Sequence, residues 1–158
     1  MPIVQSQGWT LSVGICADLN NSDYFHNAAA HGAEIFLLPV GGSGGANPVS
    51  DDGDQTKQAQ YHKSLHEKLM RKHAIDTDMY VFYANQTGRS GNGWFPGLSL
   101  VVDPSGRLVD KHLPTEGMTV IEISKKSITS RSKKLASVTA KKCLNSSGQS
   151  VLVRVISK

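Results

Sequence analysis

The stretch from Trp9 to Pro39, WTLSVGICADLNNSDYFHNAAAHGAEIFLLP, leaves this chain few folds to choose from. Leu11, Val13 and Ile15 alternate with Ser12, Gly14 and Cys16, the two-residue period of a strand, and the alternation stops at the cysteine. Ala17 to Asn21 reads as a short turn. Ser22 and Asp23 suit the cap and first turn of a helix that runs to about His31. Gly32 is the residue type that ends a helix in the left-handed region, and Glu34 to Pro39 is an apolar run of strand length. Strand, turn, helix, strand is a crossover that makes parallel neighbours. The expected class is therefore α/β, with ligands meeting the sheet at the carboxyl ends of its strands, where Cys16 is placed.

A cysteine at such a point has a chemistry available to it. Backbone N–H groups and the positive end of the following helix favour the thiolate, which is the reactive form. Free cysteine is also among the most buried residue types, and spacing alone favours an inert Cys16 over a nucleophilic one.

A resemblance reverses that preference. The stretch resembles the nucleophile segment of the nitrilase superfamily, the carbon-nitrogen hydrolases, whose pattern is similar to hhhxICYDxxFPExxRxxAxxGAEhhhhP. Ile15, Cys16, Asp18, Gly32, Ala33, Glu34 and Pro39 fall on it without a gap. Met70 to Gly88 resembles the family's helix-strand segment ending in aANRxG, with Ala84, Asn85 and Gly88 matching. Phe95 to Gly106 is similar to FxGxSxIhxPxG, with Gly97, Ser99, Pro104 and Gly106 in register. Three motifs in order are more specific than any one, and together they cover residues 9 to 123. The departures are Asn21-Ser22-Asp23 in place of FPE, Ala17 in place of an aromatic residue, and His73 in place of an arginine.

The resemblance implies half of a four-layer α-β-β-α sandwich, the nucleophile-bearing C-terminal half, over residues 1–123. It implies that Cys16 adds to an amide or carbamoyl carbon to give a thioester, with the Ala17 backbone N–H on the oxyanion. Nitrile chemistry is less common in the family. The family's glutamate base and lysine lie far upstream of the cysteine, whereas only fifteen residues precede Cys16, none of them Glu or Lys. The expectation is that these partners come from elsewhere, by a complementing N-terminal half or through a homo-oligomer. No cofactor and no metal are expected. The competing expectation is a catalytically inactive fragment that serves as an interaction or scaffold module.

At 158 residues, 39% hydrophobic and 19% charged, the chain has the composition of a soluble globular domain. No apolar run reaches bilayer-spanning length, and the opening MPIVQSQGW carries no export signal, so no membrane partner and a cytoplasmic setting are expected. Cys16 and Cys143 are then read as free thiols. The net charge of +4 hides a division: all 13 acidic residues and 8 basic ones lie in residues 1–122, while the 9 other basic residues lie beyond. Residues 124–158 thus read as a basic C-terminal extension. A basic tail attracts phosphate, but no aromatic residue interleaves it for stacking on bases, so a solvated segment is preferred to a nucleic-acid partner.

Elsewhere the reading is more local. Val40 to Asp54 is a glycine-rich loop without the Gly-Lys-Ser/Thr of a phosphate cradle. Thr56 to Ile75 is helical, with Tyr61, Leu65, Leu69 and Met70 as its apolar stripe. His62 and His66 are read as solvated, because Met70 occupies the second histidine position of an HExxH site, and His26 and His31 share no helix face well. Met79 to Ala84 is a strand covered on both faces, and Asn85 to Gly93 a polar turn. Leu98 to Val102 and Arg107 to Val109 form a hairpin around Asp103-Pro104-Ser105-Gly106, and Met118 to Ile123 is a further strand. Ser124 to Ala140 has weak helical periodicity, and Ser150 to Ile156 alternates like a short strand.

Overall fold

The computed structural model describes residues 1–42, 54–90, 93–112, 117–123, 125 and 140–143. Ile3–Ser6 (β1) turns into Trp9–Val13 (β2) through Gln7 and Gly8, whose φ values of 48° and 79° are what a two-residue hairpin loop demands. The strand ends at Val13, short of the alternation read through Ile15, which is exposed; Cys16–Asn20 is a turn of 3-10 helix, followed by Ser22–Ala30 (α1) and Ile35–Val40 (β3). Asn21, one residue earlier than expected, caps α1, its Oδ1 accepting from the Tyr24 N–H at 3.3 Å. β2 and β3 run parallel, with Leu11 opposite Ile35 and Val13 opposite Leu37.

Asp54–Thr77 (α2) leads into Tyr80–Asn85 (β4), which lies parallel to β3. The expected apolar stripe of α2 is displaced. Leu65 is 45% exposed, and the buried line runs through Met70, His73, Ala74 and Thr77. Two of these four are polar, and hydrogen bonds rather than hydropathy admit them to the core.

The polar turn expected over Asn85 to Gly93 is a correction. Thr87–Ser90 (β5) and Gly93–Pro96 (β6) pair antiparallel, Thr87 opposite Pro96, and this ladder satisfies backbone groups that a bare turn would leave to water. Ser99–Val102 (β7) and Leu108–His112 (β8) form the expected hairpin. Its turn is built on buried Asp103, whose Oδ1 accepts from the Ser105 N–H at 3.0 Å, the Ser105 hydroxyl at 2.6 Å and the Arg107 N–H at 3.0 Å. Met118–Ile121 (β9) pairs with Ala140–Cys143 (β10). The periodicities over 124–140 and 150–156, and most of the glycine-rich loop after Val40, lie outside the described residues.

The main sheet has six strands in the order β1-β2-β3-β4-β7-β8, so the chain is mixed α/β. Phe36, Leu38 and Val40 of β3, Val81 and Tyr83 of β4, and Leu100 and Val102 of β7 face one way and pack under Phe25 and Ala28 of α1 and Met70 and Ala74 of α2. Trp9, Ile35, Tyr80, Phe82 and Val101 face the other way and meet Ile121 and Ile123. Among the described residues no helix is long and apolar enough to cross a membrane.

Candidate functional site

Cys16 is half-buried and carries a φ of 48°, a left-handed backbone that a non-glycine residue adopts at a cost of roughly 1–2 kcal/mol. Four hydrogen bonds hold the turn in this state. The Asp18 carboxylate accepts the Ile15 N–H at 2.7 Å while the Asp18 N–H donates back to the Ile15 carbonyl at 3.1 Å. The Gly14 N–H donates to the Leu37 carbonyl at 3.0 Å, and the Tyr24 hydroxyl to the Val13 carbonyl at 3.0 Å. The strand thus ends at Val13, and Cys16 opens the turn just beyond the carboxyl edge of the sheet.

Beneath the turn lies a column of rings. Phe36 stacks on Phe25 at 4.1 Å between centroids, and Phe25 stacks on His73 at 3.8 Å with the two rings nearly parallel. The His73 Nε2–H donates to the Leu19 carbonyl at 2.9 Å, which ties α2 to the 3-10 turn that begins at Cys16. Burial pushes the His73 imidazole below its ordinary value, aided by the Lys72 charge and opposed by the bond to Leu19, so the ring is held neutral.

The ends of β3 and β4 complete the rim. Asn85 Oδ1 accepts the Gly42 N–H at 3.0 Å, its Nδ2 donates to the Gly97 carbonyl at 2.9 Å, and its backbone N–H donates to the Ser99 hydroxyl at 3.2 Å. One side chain therefore joins the second and third motifs to the backbone that follows β3. The Tyr83 hydroxyl lies 2.7 Å from His66 Nδ1, and a side chain at Gly42 would stand 3.7 Å from the His66 ring. His66 is half-buried rather than solvated, a correction to the sequence reading; the side chain of His62 lies outside the described residues. Burial, and after it the proximity of Cys16, pushes the Tyr83 phenol far above its ordinary range.

Cys16 and Ala17 are the first two residues of the 3-10 turn after β2, so Cys16 belongs to the turn and not to the strand end at which the sequence reading placed it. Among the described residues no group accepts a hydrogen bond from the Ala17 N–H. Sequence reasoning missed His66, Tyr83 and the bridging role of Asn85. Asn85 carried a signal as a motif position, whereas the tyrosine read only as a strand residue. Among the described residues no group of three His, Cys, Asp or Glu side chains could hold a metal ion.

Comparison with known proteins gives this arrangement a context. The family profile described as carbon-nitrogen hydrolase matches residues 1–133. A Pseudomonas protegens protein named hydrolase in pqqF 5′ region is 28% identical over 105 residues, 66% of this chain and 31% of that protein. An amidase from the nitrilase superfamily of Nesterenkonia AN1 superposes with a TM-score of 0.55 at 25% identity, over 72% of this chain and 37% of the other. A further structure of that amidase, 26% identical to this chain over the same shares and with a TM-score of 0.55, shows covalent addition of the acetamide moiety of fluoroacetamide at the active site cysteine. The carbon-nitrogen hydrolase from Helicobacter pylori G27, 22% identical over 68% of this chain and 38% of the other, shares the fold with a TM-score of 0.57. The chain spans about a third of the length of the curated relative it matches.

Proposed function

The chain belongs to the carbon-nitrogen hydrolase family, and from that premise we propose that it bears the nucleophile of a hydrolase acting on non-peptide amide or carbamoyl bonds. The observation that supports the reading is Cys16 itself, at φ 48° on the turn that follows β2, where the Asp18 carboxylate accepts the neighbouring Ile15 N–H. In this reading the Cys16 thiolate attacks the carbonyl carbon, and the oxyanion forms against the Ala17 N–H. Collapse expels the amine, protonated by the glutamate that a complementing half would supply, and leaves a thioester on sulfur; water, giving a proton back to that glutamate, then hydrolyses the thioester to acid and free thiol. A single oxyanion donor of this kind contributes on the order of 10² to 10³ in rate.

The same premise supports a four-layer α-β-β-α sandwich in the working protein, with residues 1–123 as the nucleophile-bearing half and residues 124–158 as a basic extension. The partly covered outer face of the sheet would then receive a second sheet. A glutamate and a lysine reach Cys16 from that complementing half or from another copy of the chain.

The test supplies simple amides and carbamoyl compounds to the full chain, alone and beside an N-terminal half from a relative, and follows the intact mass. An acyl adduct that disappears in Cys16→Ala is the expected result. No adduct and no turnover under either condition would refute the hydrolase reading in favour of an inactive interaction module.

A further inference from the structure

The carboxyl ends of three parallel neighbours lie side by side, and the proposed mechanism uses only the first. Cys16 follows β2, Gly42 follows β3, and Asn85 is the last residue of β4. β7 runs antiparallel beside β4 with Tyr83 opposite Leu100, so its amino end, at Leu98 and Ser99, reaches the same rim. Leu98 is 3% exposed and has a φ of 79°, a left-handed backbone that a bulky residue adopts only where its surroundings impose it.

Asn85 imposes it from both sides of Leu98. Its Nδ2 donates to the Gly97 carbonyl at 2.9 Å, and its backbone N–H donates to the Ser99 hydroxyl at 3.2 Å. The Gly97 N–H is held as well, 3.1 Å from the carbonyl of Gln86, the residue next to Asn85. Toward β3, the Asn85 Oδ1 accepts the Gly42 N–H at 3.0 Å. Cys16 packs against the buried cluster to which Val40 and Leu98 belong, one on each side of this junction. We infer that Asn85 is a positioning residue for the reaction at Cys16: its carboxamide clamps the segment leaving β3 to the turn entering β7, and so sets the wall of backbone that a substrate amide meets beside the sulfur. The inference rests on the reading of Cys16 as a nucleophile.

The two bonds call for a carboxamide. Gly42 presents a donor and Gly97 an acceptor, and a carboxamide offers one oxygen and one N–H at a fixed separation. A carboxylate of the same shape would still accept from Gly42 but would set a negative charge against the Gly97 carbonyl. The clamp then opens at its Leu98 end, where the left-handed backbone is free to relax. The turn that carries Cys16 is held separately, through Asp18, so the clamp bears on the approach to the sulfur and leaves the ionisation of the thiol alone.

Two thiol reagents, applied to the full chain, separate approach from ionisation. Iodoacetamide carries a carboxamide to be received beside the sulfur, whereas methyl methanethiosulfonate carries none. Both consume the same thiolate, so the ratio of their rates at Cys16 cancels the thiolate fraction. The rates are read site by site by mass spectrometry for the unaltered chain, for Asn85→Asp, and for Ser99→Ala, which removes only the hydroxyl that holds the Asn85 N–H. Relative to the unaltered chain, the ratio of iodoacetamide to methanethiosulfonate rates is expected to fall about tenfold in Asn85→Asp and about threefold in Ser99→Ala. Ratios that stay constant while the midpoint of thermal unfolding drops would overturn the inference, and so would rates for the two reagents that change together. Should Asn85→Asp fail to fold, Ser99→Ala decides alone. A chain that forms acyl adducts from amides but gives unmoved ratios keeps the proposed function and loses the clamp. One whose ratios move and that forms no adduct keeps the clamp and loses the hydrolase.

Discussion

His73 occupies a position where the family pattern carries arginine, and the exchange has a physical consequence. A guanidinium keeps its charge, whereas an imidazole can shed it and be buried neutral. Here the ring is 1% exposed, stacked on Phe25, and bonded through Nε2 to the carbonyl of Leu19. Its folded value is lowered, chiefly by burial, so the unfolded chain takes up the proton first as pH falls. Stability is therefore flat above the ordinary imidazole value of about 6.5, declines as pH drops from there to the lowered folded value, and levels off below it. Thermal unfolding followed from about pH 8 to about pH 5 should show this decline. His73→Phe should flatten that component while lowering stability throughout by about 1–3 kcal/mol, the cost of an unpaired Leu19 carbonyl. A decline of the same depth in the variant would place its origin elsewhere. The substitution was visible in the sequence, but its partner, 54 residues away, was not.

The strand-to-turn element around Cys16 depends on a close approach at Gly14. A Cβ there would stand 2.9 Å from two atoms of the Phe36 ring, which is pinned by Phe25 on its face and by Tyr24 edge-on at 5.9 Å. The ring has no direction in which to yield, so Gly14→Ala is expected to cost about 1–3 kcal/mol, read as a lower midpoint of thermal unfolding. Gly32→Ala is the comparison: its added methyl meets nothing within 4 Å, and only the left-handed backbone at φ 81° is penalised, by about 1 kcal/mol. Equal losses in the two variants would remove the packing argument. Elements of this kind were legible because strand period and helix cap are local properties. α2 was legible as a helix but not as to its buried line, since His73 and Thr77 enter the core by pairing with the carbonyls of Leu19 and His73. The β5–β6 hairpin was missed for a related reason: glycine-rich composition describes a segment's freedom, and only the facing strand removes it.

At the scale of the molecule, the described residues cover one face of the sheet well and the other only in part. On the outer side Trp9, Ile35 and Phe82 are buried near Ile121 and Ile123, but Leu11, Val13 and Leu37 are half-buried, and Val4 on the edge strand is 49% exposed. Among the described residues β1 is an edge strand, and an apolar face beside such an edge favours association. Light scattering is expected to give a mass above that of one chain, and Val4→Lys, which sets a charge on that face, is expected to move it toward the single chain. A monodisperse single chain before any substitution would contradict the proposed pairing. The strand before Cys16, the end of α1, the parallel crossover and the three motifs were written in the chain, because each depends on neighbours a few residues apart, although the strand stops at Val13 and the cap falls on Asn21. Which polar groups meet was settled by packing: His66 with Tyr83, His73 with Leu19, and Asn85 with Gly42, over separations of 17, 54 and 43 residues. Those meetings depend on how α2 lies across the sheet, and local periodicity carries no record of that angle.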